Sequence, residues 1–550
     1  MANPLSRALN AMRGRIGAPS EQAPSAAPGV SGRPTPGAQY FRRGAAQFLA
    51  AWRPALRDAR DDVQASYVAA AGRTVDALHN NGFLAGAVDA AVAVTVGVAL
   101  RLSAVPDRTV LGWDDETAER WVDEVESRWI QWSENPTECD AGGRYTIGQM
   151  TGQVLRSYFS HGESVALLPA VRRPESRSVG KVQVLPAHKL VQESSPFERL
   201  FQGVRVDFYG MPVAYRFTVD DRLELRSTVD ILARDAVGRP QVVHVFEGQP
   251  GQTRGISPFA PVLRATAQFD QLQDATLTAA LIQSIFAATM ESELPTAEVL
   301  EGLREQMEGQ PAPGAGDAAY AAENGLDAWN ELRARWYEDT KIDLGSFGKI
   351  AHTFPGESLK FNRSEHPNSN YEAFGNFLLR EVARAAGLTS EQFTGDFREA
   401  TYSSVRMSTA FNWPIVMARR SNICGRFCQA AYEVWLEEEI ETGRMWFPGG
   451  FPAFLAQRHS AVQAEWRGPA KPQADDLKAQ KAHGGYQAMG VMSDEEICAD
   501  LGTDVTDVYK KRAREMRLRQ KLGLPEPTLQ GGGGSAVADD PDDKTEKAAA

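Results

Sequence analysis

The chain has 550 residues, 43% of them hydrophobic, which is enough to bury a large core and to build several domains. Lys and Arg number 59 against 71 Asp and Glu, a formal net charge of −12. That balance argues against a protein that grips nucleic acid by neutralising phosphates, although an acidic chain can still guide DNA that must slide. Four cysteines (Cys139, Cys424, Cys428 and Cys498) cannot staple so long a chain, so a reducing compartment is expected and no disulfide framework.

In chain order, the opening MANPLSRALNAMRGRIG has arginines but no compact apolar run before a small-residue cleavage site, so a secretory signal is not expected. Residues 18–38 are rich in Pro, Ala, Gly and Ser, and residues 1–38 are expected to be a disordered arm. Phe83 to Leu100 is apolar for about the length of a membrane span, but it is built from Ala, Val and Gly and contains Asp89. It reads as a buried helix that passes near Gly97 into a strand, Val98 to Leu102. Residues 114–132 place Trp121, Val125, Trp129 and Trp132 at helical spacing, an amphipathic helix whose aromatic stripe belongs to the core. Between 180 and 250, short β-rich runs separated by Gly, Pro and Asp predict a small antiparallel sheet.

A long helix is expected over Pro258 to Met290, with Phe269, Leu272, Leu277, Leu281 and Ile285 at steps of three to five residues. A Gly/Pro/Ala-rich break follows near 309–318, then a shorter helix with Trp329, Leu332 and Trp336, and a strand-and-turn piece over 340–366. Residues 371–387 pattern as a helix with Tyr371, Phe374, Leu378, Val382 and Ala385 on one face, Asn370 as its cap and Gly387 as its left-handed end. Residues 402–440 read as one long helix, kinked where Pro414 removes a backbone donor. Residues 475–521 are helical again and end in a basic run, Lys510, Lys511, Arg512, Arg514, Arg517, Arg519 and Lys521. From Pro525 a Gly-rich and acidic tail is expected to be disordered. The fold class is therefore α+β, mainly helical, with no internal repeat.

No catalytic pattern emerges. Gly345 to Ile350 has the wrong spacing for a phosphate-binding loop, and neither His-Glu-x-x-His nor Gly-x-Ser-x-Gly occurs. Cys424 and Cys428 stand at i, i+4 without a second Cys/His pair, and read as two buried thiols. His161-Gly162-Glu163 can be taken for an acid/base pair, but Gly162 reads as a turn into a strand from Ser164 to Leu168. The acidic run over 114–126 reads as a solvated helical face, and the basic run over 510–521 as an exposed or packing face, with phosphate contact as the alternative. No cofactor, no metal and no catalytic residue is expected.

Several strings in order are specific as a set. Cys139-Asp140-Ala-Gly-Gly143-Arg144 with Gly162-Glu163, His244-Val-Phe246-Glu with Pro250-Gly251-Gln252-Thr253-Arg254-Gly255-Ile256-Ser257, and Gly395-Asp396 with Tyr402-Ser403-Ser404-Val-Arg406 together resemble the lambda-type family of phage portal proteins over about residues 75–525. The resemblance implies a portal fold assembled as a closed ring, a dodecamer, with wing, stem, clip and crown regions around a channel for double-stranded DNA. It implies the terminase large subunit, major capsid protein, scaffolding protein and head-completion or adaptor proteins as partners, a place in the virion after assembly in the host cytoplasm, and no membrane. It places the wing at 39–325, stem helices at 326–388 with the clip at 340–366, a tunnel loop at 389–401, a wing helix at 402–440 kinked at Pro414, and the crown at 441–524. The tunnel loop is polar and without aliphatic anchors, and its Glu391, Gln392, Thr394, Gly395, Asp396, Arg398 and Glu399 are expected to face DNA, Gly395 acting as hinge and Arg398 pairing with a neighbouring subunit's carboxylate or touching phosphate. Gly251, Gln252, Thr253, Arg254, Gly255, Tyr402, Ser403, Ser404 and Arg406 are expected to be structural, with Arg254 bonding carbonyls or a neighbour's carboxylate. A scaffolding or other assembly protein of the virion is the alternative, and a packaging nuclease would need clustered carboxylates for two metals.

Overall fold

The computed structural model describes residues 58–220, 226–285, 288–292, 334, 357–361, 369–398, 400–472 and 476–525. The expected terminal arm over 1–38, the tail beyond 525, the helix around Trp329 to Trp336 apart from 334, Glu399 and all of the expected clip except 357–361 lie outside these residues.

The core begins with α1 (Ala59–Asn80) and α2 (Gly82–Thr95), joined at Asn81, whose side chain accepts the Leu84 N–H at 2.9 Å and donates to Asp270 Oδ1 at 2.6 Å. The apolar run of α2 is the buried helix anticipated, and no helix among the described residues is long and apolar enough to cross a membrane. Its continuation differs from expectation. Gly97 takes a left-handed φ of +64°, Val98 is exposed, and the strand β1 starts only at Arg101 (Arg101–Ala104). The start is set by the partner strand rather than by the apolar run: β1 pairs antiparallel with β11 (Ala464–Arg467), Leu102 opposite Trp466.

Helix α3 (Asp115–Ser133) buries Trp121, Val125, Trp129 and Trp132 as its spacing predicts. The Trp129 ring lies 5.2–5.7 Å from the rings of Trp132, Trp435, Trp466 and Tyr432, a largely edge-to-face cluster that ties α3 to the C-terminal half. Helix α4 (Ile147–His161) opens with a capping box between Thr146 and Gln149 and buries Met150, Val154, Leu155, Tyr158 and Phe159.

The β-rich stretch forms two sheets, not one. β2 (Glu163–Leu167) lies between β3 (Gln183–Leu185) and β8 (Val242–Phe246), all antiparallel. A four-stranded meander follows the order β4 (Leu200–Phe201), β5 (Val204–Val206), β6 (Pro212–Asp220), β7 (Arg226–Leu232). Strand β7 is not among the β-rich runs of the sequence, because Ser227, Thr228, Val229 and Asp230 are all exposed and no core side chain imposes an alternation on them.

Helix α5 (Leu263–Ile285) stops short of the expected Met290, because Ala288–Ser292 becomes β9 and pairs antiparallel with β10 (Glu357–Phe361). Helix α6 (Ser369–Ala386) already includes Asn370, which is therefore not its cap, while Gly387 does end it with φ +74°. Its buried face is Leu378, Leu379, Val382, Ala383 and Ala386, leaving Phe374 exposed. The difference is a rotation toward α2 and α5, which only packing decides.

The long helix over 402–440 is α8 (Tyr402–Arg419), a π-helical segment Arg420–Gly425, and α9 (Arg426–Glu441). Helix α8 runs on through Pro414, and the change of hydrogen-bond pattern falls at the π segment. There two successive buried arginines reach two different helix ends. Arg419 donates to the Ala385 and Ala386 carbonyls that finish α6, and Arg420 donates to Thr95 O at 2.9 Å and Val94 O at 3.1 Å at the end of α2. Each places a cation on the negative end of a helix dipole. Cys424 and Cys428 are both buried thiols, and burial pushes Cys428 up to about 12.

Residues 441–467 belong to the main core: Phe447 and the α10 (Gly450–Ala461) residues Phe454 and Ala461 are buried in the same cluster as Trp121. Beyond them lie three helices rather than one, α11 (Asp476–Ala488), α12 (Asp494–Asp500) and α13 (Val505–Leu522), with left-handed Gly490 and Gly502 in the breaks.

Arg420→Ala should cost about 2–3 kcal/mol, because it leaves buried carbonyls at the end of α2 without donors. Denaturant unfolding checks this, with an unchanged midpoint as the contrary result.

Candidate functional site

Two of the strings that stand out in the sequence, Gly162-Glu163 and the segment from His244 to Gly255, converge on one buried ionic centre. Helix α4 ends at Gly162, whose φ of +88° turns the chain into β2, so that Glu163 is the first strand residue and is fully buried. A Cβ at Gly162 would lie 2.1 Å from the Ile256 carbonyl carbon, and one at Gly255 would lie 2.1 Å from the Gly162 oxygen. The two backbones therefore touch, and only glycine fits on either side.

That approach delivers Arg254 to Glu163. Arg254 Nε donates to both carboxylate oxygens at 2.7 and 2.9 Å, and Nη2 donates to Oε1. The Gly255 N–H adds a bond to Oε2 at 3.0 Å, Tyr67 donates its hydroxyl to Oε1 at 2.7 Å, and His244 Nε2 lies 3.0 Å from Oε2. The guanidinium also bonds the carbonyls of Gln202 at 2.9 Å and of Val191 and Ala187 at 3.3 Å, and it lies 4.5 Å above the Tyr67 ring. Gln202 presents its carbonyl from a φ of +49°, an uncommon conformation for a residue that is not glycine. Burial alone would raise the Glu163 carboxyl, but the Arg254 charge and the His244 hydrogen bond outweigh it and hold it well below the usual carboxylate range. Burial pushes the Tyr67 hydroxyl up, with Glu163 adding to the effect.

Arg254 thus bonds carbonyls and a carboxylate, as expected in kind, but the carboxylate belongs to its own chain. Gln252 supports the turn, accepting from Gln249 N at 2.9 Å and donating to Arg254 O at 2.6 Å, with Gly251 at φ +80° and Thr253 partly buried beside it. Asp140 organises the Cys-Asp string, accepting from the N–H groups of Gly142, Arg144 and Tyr145. Tyr67 belongs to no string, and nothing in the sequence marks it: its role follows from α1 crossing the sheet end.

The second signature has a different role. Thr401 caps α8, accepting from Ser404 N at 3.3 Å while Ser404 Oγ accepts from Thr401 N at 3.0 Å; Ser403 and Arg406 are exposed. The preceding polar segment is not anchorless. Ser390–Thr394 forms a short helix, α7, with its own capping box between Thr389 and Gln392, and Phe393 is buried and stacks on Phe83 at 6.3 Å. Glu391, Gln392 and Thr394 are partly exposed, and Gly395 ends the turn at φ +71°. Arg398 pairs within its own chain, with Asp396 at 2.6 Å and Glu372 at 2.8 Å. Its hydrogen bonds hold the Asp396 carboxyl down at about 2. Among the described residues no group of three or more His, Cys, Asp or Glu is placed to hold a metal ion.

The chain is thus a mainly helical scaffold with small antiparallel sheets locked to it by an internal ion pair. A sequence model of the phage portal proteins of the lambda family matches residues 46–420, and the chain belongs to that family. The portal protein of Escherichia phage N15 is 26% identical over 489 residues, covering 87% of this chain and 89% of its own. Portal protein B of Escherichia phage lambda is 26% identical over 488 residues, with the same coverage of 87% and 89%. Among solved structures, a chain from the neck of an empty GTA particle is 16% identical with a TM-score of 0.42, over 82% of this chain and 95% of that one.

Glu163→Gln should destabilise the subunit by about 3–5 kcal/mol, since it leaves a buried guanidinium without its counter-charge. The sign with pH follows from the depressed carboxyl. The pair's contribution is complete above the ordinary value of 4.5 and is lost as pH falls below it. Stability measured against pH should therefore fall less steeply below pH 4.5 in the variant than in the parent.

Proposed function

We propose that twelve copies of this chain close into a ring at one capsid vertex, through which the terminase large subunit drives double-stranded DNA inward and through which DNA later leaves. The major capsid, scaffolding and head-completion or adaptor proteins dock on the same ring. The chain acts by shape, charge and assembly and not as an enzyme.

One observation carries the assembly: the helices display large apolar side chains that a single chain leaves in water. Leu277 on α5 is 61% exposed, Phe374 and Phe377 on α6 are 54% and 64%, and Met407 and Phe411 on α8 are 60% and 71%. Apolar surface repeated along three helices marks a protein interface. Self-association in a closed ring covers it in every copy at once. In this reading α6 belongs to the stem, α8 to α9 form the wing helix, and α11 to α13 form the crown, which begins after Arg467 because the preceding segment is core.

The segment from Glu391 to Glu399 lies along the DNA path. Its support is chemical: Glu391, Asp396, Arg398 and Glu399 leave it negative, Gln392 and Thr394 are neutral and polar, and Asp396 occupies Arg398. Among the described residues of the segment, passing DNA meets no free cation to hold it, and each such contact would add a counterion-release term that opposes movement. Phe393, buried against Phe83, fixes the base of the segment.

Mass measurement at micromolar concentration should give a closed oligomer, visible as rings in negative stain, and a stable monomer of 60.1 kDa would contradict it. Replacing Glu391, Asp396 and Glu399 together with lysine should leave rings intact but slow packaging, more at low salt, where charges are less screened. Normal packaging by intact variant rings would take the segment out of the DNA path.

A further inference from the structure

Helix α13 has no part in the core and no role in the proposed channel. It is a complete helix, with Asp504 accepting from Thr506 N and Asp507 N at its start and Gly523 at φ +64° at its end, yet it has no buried residue. A solitary helix this polar is held by its connections and not by packing. Between Val505 and Leu522 it carries seven basic residues against two acidic ones, Asp507 and Glu515. A local charge of +5 stands in a chain whose net charge is −12. At physiological salt a phosphate feels charges within about 8 Å, so the helix's own sign governs what approaches it.

The cations are also ordered. At about 100° per residue, Lys510, Arg514, Arg517 and Lys521 fall on one narrow face, a stripe about 16 Å long by the rise of an α-helix. All four are exposed. Lys510 pairs with Asp123 on α3 at 2.5 Å, which tethers the N-terminal end of the helix to the body. Among the described residues, Arg514, Arg517 and Lys521 make no ion pair. Guanidinium groups without a counter-charge at this spacing are what a row of phosphates requires, since the planar fork can bond two phosphate oxygens at once.

We propose that α13 is a second nucleic-acid surface, separate from the channel segment, that binds the phosphates of duplex DNA without regard to sequence. The two surfaces are opposite in design: one has its single described arginine neutralised so that DNA slides, the other offers free cations so that DNA is held. In a ring the helix is repeated in every copy, so weak single contacts sum. The apolar side chains that flank the stripe, Leu518 and Leu522, raise an anionic lipid surface as the competing partner. The face itself is continuous in charge and not in apolar area, which favours the polyanion.

The test uses the full chain and a labelled random-sequence duplex, with binding followed by fluorescence anisotropy across salt. Arg514→Ala, Arg517→Ala and Lys521→Ala together should weaken binding several-fold at low salt and reduce the slope of log affinity against log salt by about 2 to 3, near 0.9 for each phosphate no longer neutralised. A variant with Arg514→Lys and Arg517→Lys should keep the slope, because charge is retained. Oligomer mass recorded for each protein separates this result from the ring itself: loss of DNA binding with intact rings supports the inference. An unchanged slope in the alanine variant overturns it. So does a variant that loses binding to vesicles rich in phosphatidylglycerol while binding DNA as before.

Discussion

A carboxylate removed entirely from water must recover from the protein every bond it gave up, and the subunit is organised around how Glu163 does so. Its two oxygens receive donors from α1, β8 and the loop after β8, and its counter-ion Arg254 goes on to the carbonyls of the segment before β5. Burying the pair gains little net energy, because desolvating both charges offsets most of their attraction. What the pair adds is direction. An apolar plug would fill the same space, but it would not dictate which backbone carbonyls face inward. Two glycines without room for a Cβ make the approach possible, so backbone shape and ionic chemistry depend on each other here.

The same logic recurs at the π segment. One extra residue in the turn lets adjacent arginines diverge, each to the carbonyl end of a different helix. Helices α2, α6 and α8 are then locked through polar contacts at their ends, while the outer faces of α6 and α8, with Phe374, Phe377, Met407 and Phe411, remain exposed. Internal rigidity comes from buried ions and the aromatic cluster around Trp129, and the exposed phenylalanines of α6 are left out of the chain's own core.

Charge is partitioned in a comparable way. The chain is acidic as a whole, its one described arginine in the segment after α7 is engaged by Asp396 and Glu372, and Arg514, Arg517 and Lys521, which make no ion pair among the described residues, share a helix that has no buried residue. A net charge therefore describes solubility and long-range repulsion better than it describes any surface a polyanion meets. Contact with DNA is decided within a Debye length of the phosphates.

Much was legible in the sequence where the signal is local. Helical spacing and apolar content located α2, α3 and the body of α6, a left-handed glycine marked the end at Gly387, and the ordered strings around Gly162, Arg254 and Ser404 pointed to the family. The sequence could not say what those strings were for. That Arg254 meets Glu163 of its own chain, that Tyr67 joins them, that β1 begins at Arg101 because its partner β11 lies near the far end of the chain, and that α5 yields to a strand at Ala288 are all settled by distant segments. Periodicity records which side of an element avoids water, since each residue's transfer free energy is its own. Which neighbour covers that side, and where an element gives way to another, depends on contacts whose cost and gain exist only once the chain has closed on itself.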